Sequence, residues 1–233
     1  VPEQLTNFPV LIALNSTAGA TSVNMTQLFT DLGANNLKIA VTLEDHITPC
    51  FVEIERWDNA NNKAWLWVRV PTLYTTKDNY LYIYWGATAS NNSNFVGVAG
   101  STPGKTVWDS NYKGVWHLAE DPAGTAPQSK DSSTNAYHGT SGGTMTAGDL
   151  VDGKIGKAID FDGANDYIGI PQQANVKPTA AITFSTWVSL DDWYTNPAAT
   201  QVSISTANGS GGYSIWRNTN GTVYVRVYIN SAF

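Results

Sequence analysis

The sequence predicts an all-β protein built as two consecutive antiparallel β-sandwiches. Three observations carry this. Short runs of β-branched and aromatic residues, bounded by Asn, Gly, Pro and Asp, recur along the chain, which is how strands separated by tight turns read. Helical signals are few beside the dense strand signals. A chain of 233 residues with 42% hydrophobic residues can bury one large core or two modest ones, and a stretch of changed texture near residue 90 argues for two.

Taken in order, the strand candidates of the first half are "FPVLIAL" (8–14), "LKIAV" (37–41), "CFVEIERW" (50–57), "AWLWVRV" (64–70) and "NYLYIYW" (79–85). Five strands in so short a span fit one sandwich. The helix candidate is "VNMTQLFTDLG" (23–33), with Asn24 or Thr26 as cap and Gly33 as stop. From Gly86 to Lys105 the chain loses periodicity and becomes rich in Gly, Ser and Asn, so a domain boundary is expected there, with 91–107 as linker. Strand patterns resume in "GVWHL" (114–118), "KAIDFDG" (157–163), "DYIGI" (166–170), "ITFSTWVSL" (182–190), "QVSIST" (201–206), "GYSIW" (212–216) and "TVYVRVYI" (222–229). "RNTNGT" between the last two supplies an Asn-Gly hairpin turn.

Composition removes several function classes. Nineteen acidic residues against 13 basic give a net charge of −6, and no Lys/Arg cluster occurs, so nucleic acid and anionic lipid are poor partners. No run approaches the ~18 apolar residues of a membrane-spanning helix. Only 14% of residues are charged, while amides and hydroxyls abound, the balance of secreted and cell-surface β-proteins. The chain opens on "VPEQLTNFPVLIALN", already within a globular pattern, so an export signal is expected to have been removed or to lie outside this sequence. Cys50 is the single cysteine; it allows no intrachain disulfide and no cysteine-based zinc site, and reads as a buried, inert thiol.

"FVEIERWDN" (51–59) places Glu53 and Glu55 two positions apart on a strand. Side chains at i and i+2 leave the same face, about 7 Å apart at the Cα atoms. Glycosidase carboxylates stand about 5–5.5 Å apart in retaining enzymes and about 6.5–9.5 Å apart in inverting ones, so geometry alone admits a catalytic pair.

The blocks "LTNFPVLIAL", "VEIERWDNANNKAWLWVRVPTL" and "YLYIYWG", in that order across residues 1–90, resemble the domain of unknown function numbered 2341, found in surface and secreted proteins. In that family the carboxylate-bearing strand ends in Trp-Asp as a structural feature, which implies that Glu53 and Glu55 are structural or solvated. A second set, "GVWHLAED", "DSSTNAYHGT", "GKIGKAIDFDGANDYIGIP" and "ITFSTWVSL", resembles the laminin-G-like branch of the concanavalin A-like lectin and glucanase superfamily. It implies a jelly roll over 108–233, expected to be truncated because "WHHVA"-like and "LYVDG"-like strands do not follow. It also makes His117 and His138 framework positions.

"DFDGANDY" gathers Asp160, Asp162, Asn165 and Asp166 around a glycine. Hard oxygen ligands suit Ca²⁺, and laminin-G-like relatives bind it near the sandwich rim, so calcium is the expected cofactor with Asp162, Asn165 and Asp166 as ligands; the alternative is that these residues form ordinary turns. His46, His117 and His138 show no metal or triad spacing. The alternating Glu-x-Asp-x-Glu of superfamily glycosidases is missing from the second half. Tyr80, Tyr82 and Tyr84 would share one strand face, as would Tyr224 and Tyr228 beside Arg226; such stripes either stack on sugar rings or simply stabilise the sheet. Sequons occur at Asn15, Asn24, Asn91, Asn208 and Asn220.

The expected function is therefore non-catalytic: adhesion or carbohydrate binding outside the cell or at its surface, with polysaccharide, glycan or copies of the chain itself as partner. Two alternatives stand beside it, a filament or sheath subunit assembled by strand exchange and an accessory module of a larger polysaccharide-degrading enzyme.

Overall fold

The computed structural model describes residues 4–18, 23–171, 173, 176, 181–189, 201–205, 212–217 and 223–228. These are mostly strands with few helices, an all-β arrangement. Two compact units separate at Ile170 and Pro171.

In the first unit a four-stranded sheet runs in the order β1 (Gln4–Leu14), β4 (Lys63–Tyr74), β3 (Phe51–Asp58), β6 (Val96–Val98). β4 is antiparallel to both its neighbours, whereas β6 runs parallel to β3. A second ribbon pairs β2 (Ile39–Thr42) with β5 (Tyr82–Trp85), antiparallel. The alternation that marks the strands also sorts their faces. Ala64, Leu66, Val68 and Val70 of β4 are buried, and Val52 and Ile54 of β3 join them. Ile39 and Val41 of β2 meet them in a common core, closed by Leu28, Phe29 and Leu32 of helix α1 (Thr26–Leu32). Burying each of these large side chains stabilises by about 1.5–3 kcal/mol. The helix begins at Thr26, but its N-cap is Met25, with no side-chain cap bond, rather than Asn24 or Thr26. Asn24 Oδ1 accepts the Thr26 N–H at 2.9 Å in a turn just before it, and the helix stops as expected at Gly33, in the left-handed region at φ 54°.

β5 begins later than the run "NYLYIYW" suggests. Asn79 turns back on the end of β4, accepting the Tyr74 N–H and donating to the Tyr74 carbonyl, both at 2.8 Å, so the chain there is a turn held by an amide.

The expected linker is structured instead. It supplies β6 and the short helix α2 (Thr102–Thr106), whose N-cap Ser101 accepts the Gly104 N–H at 3.2 Å. An added Cβ at Gly97 would lie 2.1 Å from Ser101 Oγ, so glycine is needed where the backbone packs closest. Residues beyond 107 continue within the same unit, and its boundary falls at 170 rather than near 90. Two small ribbons belong to this part: β7 (Thr140–Gly142) with β10 (Tyr167–Gly169), and β8 (Leu150–Asp152) with β9 (Lys157–Ile159). The run "GVWHL" forms only an isolated bridge, Trp116 to Asp131, and no strand is assigned within 181–189.

The second unit contains a three-stranded antiparallel sheet, β11 (Gln201–Ser205), β12 (Gly212–Arg217) and β13 (Val223–Tyr228). Arg217 pairs with Val223, as the expected hairpin requires; the Asn-Gly turn itself, the sequons at Asn208 and Asn220 and the side chains of Tyr224, Arg226 and Tyr228 lie outside the described residues.

Candidate functional site

The outer face of the four-stranded sheet carries the polar chemistry. Along β3, Val52 and Ile54 point to the core while Glu53 points away. A bulge then interrupts the register: Ile54 faces Leu66, yet Arg56 faces Trp65, so Glu55 is the inserted residue. A bulge lets consecutive side chains share one face, and Glu53, Glu55 and Arg56 all contact the segments covering that face.

Glu53 and Glu55 are tied together by His117. Nε2 of the imidazole lies 3.1 Å from Glu53 Oε2 and Nδ1 lies 3.3 Å from Glu55 Oε2. Each carboxylate also accepts an indole N–H at 2.6 Å, Glu53 from Trp108 and Glu55 from Trp67. The group is enclosed: side-chain exposure is 0% for Glu53, 2% for Glu55 and 8% for His117. Trp67 stacks on the imidazole and Trp108 tilts against it, with centroids at 6.2 and 5.9 Å. Burial works against a charged imidazole, but bonds to the two carboxylates outweigh it and push the His117 pKa up to about 10. At neutral pH an imidazolium thus donates from both nitrogens, a salt-bridged clasp between β3 and residues 108–117. Glu53 Oε1 is buried with no hydrogen-bond partner among the described residues.

The β8–β9 hairpin closes one side. Arg56 donates to Asp152 at 2.9 Å, to the Gly156 carbonyl at 3.0 Å and to Asp58 at 2.9 Å. Gly156, at φ 54°, presses on Glu55 so tightly that a Cβ there would meet Oε1 at 2.7 Å.

Beside the clasp opens a cleft of about 380 Å³, with Glu55, His117, Glu120, Lys130 and Asn36 among its polar walls and Ile54, Trp57 and Val98 among its apolar ones. That volume lies in the range of small-molecule sites, about 300–1,000 Å³. Glu120 Oε1 accepts the Lys130 backbone N–H at 3.2 Å, whereas Oε2 is buried without a partner among the described residues. Burial pushes the Glu120 carboxyl above its ordinary range.

The expected calcium ligands do come together, as a turn that satisfies itself. Asp162 Oδ1 accepts the N–H groups of Ala164, Asn165 and Asp166 at 2.8, 3.1 and 3.2 Å. Asp166 accepts from the Thr144 and Asp162 N–H groups, and Asn165 Oδ1 lies 3.2 Å from Thr144 Oγ1. The N–H groups of Ala164 and Asn165 hold the Asp162 carboxyl below its usual range. Among the described residues no group of three His, Cys, Asp or Glu side chains is placed to hold a metal ion, and no helix is long and apolar enough to cross a membrane.

The remaining singled-out residues separate cleanly. His138 accepts the Asp131 N–H at 2.9 Å. Asp131, which the sequence did not single out, is fully buried and gathers the N–H groups of Val115, Ser133 and Tyr137. The Cys50 thiol is buried and pushed up to about 11 by that burial, consistent with an inert side chain. His46 lies against Tyr82 and Tyr84. The His117 clasp and Glu120 were not legible, because nothing in the sequence links positions so far apart; the one available signal was a pair of acids on an otherwise apolar and aromatic strand.

Residues 37–99 match the family described as Domain of unknown function (DUF2341). The matched segment runs from just before β2 through β6 and contains Glu53 and Glu55, but it ends before Trp108, His117 and Glu120. No curated protein and no solved structure matches the chain, and the laminin-G-like resemblance has no counterpart among these comparisons.

Proposed function

We propose that this chain is a non-catalytic, extracellular or cell-surface glycan-binding protein, with the cleft between Glu55, His117 and Glu120 as its binding site. The supporting observation is the lining of that cleft. Hydrogen-bonding groups of both kinds stand over apolar side chains, which suits a ligand carrying hydroxyls on an apolar ring face.

Catalysis by the paired acids is disfavoured by the same geometry. Glu53 is sealed from solvent, and one oxygen of each carboxylate is engaged by an indole and by His117, which supports a structural role for the pair over proton exchange with a substrate. The laminin-G-like resemblance of residues 108–190 adds to this reading, supported by the order of its motifs and by the antiparallel pairing of β7 with β10 and of β8 with β9.

The experiment is isothermal titration against a panel of short oligosaccharides, with product analysis of the same mixtures. Saturable binding weakened by Glu120→Ala, with no cleavage products, supports the proposal. Turnover that disappears in Glu53→Gln or Glu55→Gln overturns the non-catalytic reading, and binding indifferent to Glu120 overturns the site.

A further inference from the structure

The sandwich has a second outer face, on the far side of the core from the His117 clasp. There the β2–β5 ribbon turns Ile83, Ile39 and Val41 inward and leaves Tyr82 and Tyr84 outward, 37% and 42% exposed, in line with Tyr80 at 47%. The positions across from Tyr84 and Tyr82 are Ala40 and Thr42, side chains too small to cover a phenol ring.

One residue is brought to this face at a conformational cost. His46 has φ 61°, in the left-handed region, where a non-glycine residue is strained. The turn holding it is built by Asp45, whose carboxylate accepts from the Ile47 and Thr48 N–H groups at 2.9 and 2.8 Å and from the Thr48 hydroxyl. The result is an imidazole 4.0 Å from the Tyr82 ring centroid and hydrogen-bonded to the Tyr84 hydroxyl. The face thereby presents aromatic surfaces with polar atoms at their edges, while Ile47 stands beside them 82% exposed. Its charged rim is acidic: Glu44, Asp45 and Asp78 are exposed, and Lys77 is drawn over the Tyr74 ring at 4.1 Å.

We infer that the Tyr80, Tyr82, Tyr84 and His46 face is a second binding site, for a chain of a neutral polysaccharide. The ring faces stack on the C–H faces of successive sugars, and the tyrosine hydroxyls and imidazole bond their hydroxyl groups. The acidic rim selects among polymers, since uronate- or sulfate-bearing chains and nucleic acid are repelled by it, and the polar edges set it apart from a purely hydrophobic protein contact. This rests on the glycan-binding reading above but on different residues, and it adds a ligand class: the cleft takes a short sugar, whereas this open strip takes a polymer.

The test is retention of the full chain by insoluble neutral polysaccharides (cellulose, chitin and mannan) and by heparin as an anionic control, run beside oligosaccharide titration of the cleft. Tyr82→Ala and Tyr84→Ala are each expected to weaken retention by one neutral polymer on the order of tenfold, leaving oligosaccharide titration unchanged at a temperature where both variants are folded, with Tyr82→Phe close to wild type. Retention by every polymer indifferent to both variants overturns the inference while leaving the cleft intact. Heparin bound in preference to the neutral polymers overturns the ligand class, and a wild-type chain retained by none overturns the inference even if oligosaccharides still bind the cleft.

Discussion

His117 and Glu53, 64 positions apart in sequence, meet at 3.1 Å between Nε2 and Oε2 inside a pocket walled by tryptophan. With Glu55 on the other ring nitrogen, this contact fixes residues 108–117 to the sheet and defines one wall of the cleft.

The clasp gives stability a pH dependence. Its folded pKa of about 10 exceeds the ordinary 6.5, so the contribution is fully present below about 6.5 and is lost as pH rises through about 10. Urea unfolding between these limits should show stability falling with pH. His117→Ala should remove that part of the slope and cost about 3–5 kcal/mol at neutral pH, the penalty for breaking a buried ion pair from one side.

Trp108→Phe keeps an aromatic ring but deletes the N–H that reaches Glu53 at 2.6 Å. A lost bond to a buried charged acceptor costs about 1.5–3 kcal/mol. Chemical denaturation should register that loss, and a change below measurement error would show that the indole serves by packing alone.

Gly156→Ala meets two obstacles, a φ of 54° and Glu55 Oε1 at 2.7 Å from the new methyl. The left-handed conformation alone costs about 1–2 kcal/mol, and displacing Glu55 adds to it. The substitution should lower the midpoint of unfolding and perturb oligosaccharide binding, since Glu55 lines the cleft.

At Asp162 the outcome expected from the turn is that a chelator leaves the melting temperature unchanged, because three N–H groups already occupy Oδ1. Asp162→Ala should lower the melting temperature through the loss of those bonds. A clear fall in melting temperature on adding EDTA would favour calcium and show that an ion reorganises the loop.

What the sequence revealed follows from what period-two alternation encodes. β1, β3 and β4 were legible because Val52, Ile54, Leu66 and Val68 alternate with residues of the other face. β6 and α2 were not, because Gly97 and Gly104 are there for close backbone approach, which reads like a linker. The bulge at Glu55 leaves no local mark, and the pairing of Glu53 with His117 depends on tertiary contact between segments whose own patterns are silent about each other. The tyrosines of β5 were legible as a stripe, yet their meeting with His46 depends on an Asp45 turn.

The clasp is tested most directly by the titration of His117 itself, followed by ¹H–¹⁵N NMR of the imidazole nitrogens from pH 5 to pH 11. The account predicts that both nitrogens stay protonated through pH 8 and that the ring titrates near pH 10, with His46 and His138 as internal comparisons and His117→Ala identifying the signal. A His117 that loses its proton near pH 6.5, as a solvated imidazole does, would contradict the account: Glu53 and Glu55 would not be held in a buried ion pair, and their engagement could no longer argue against catalysis.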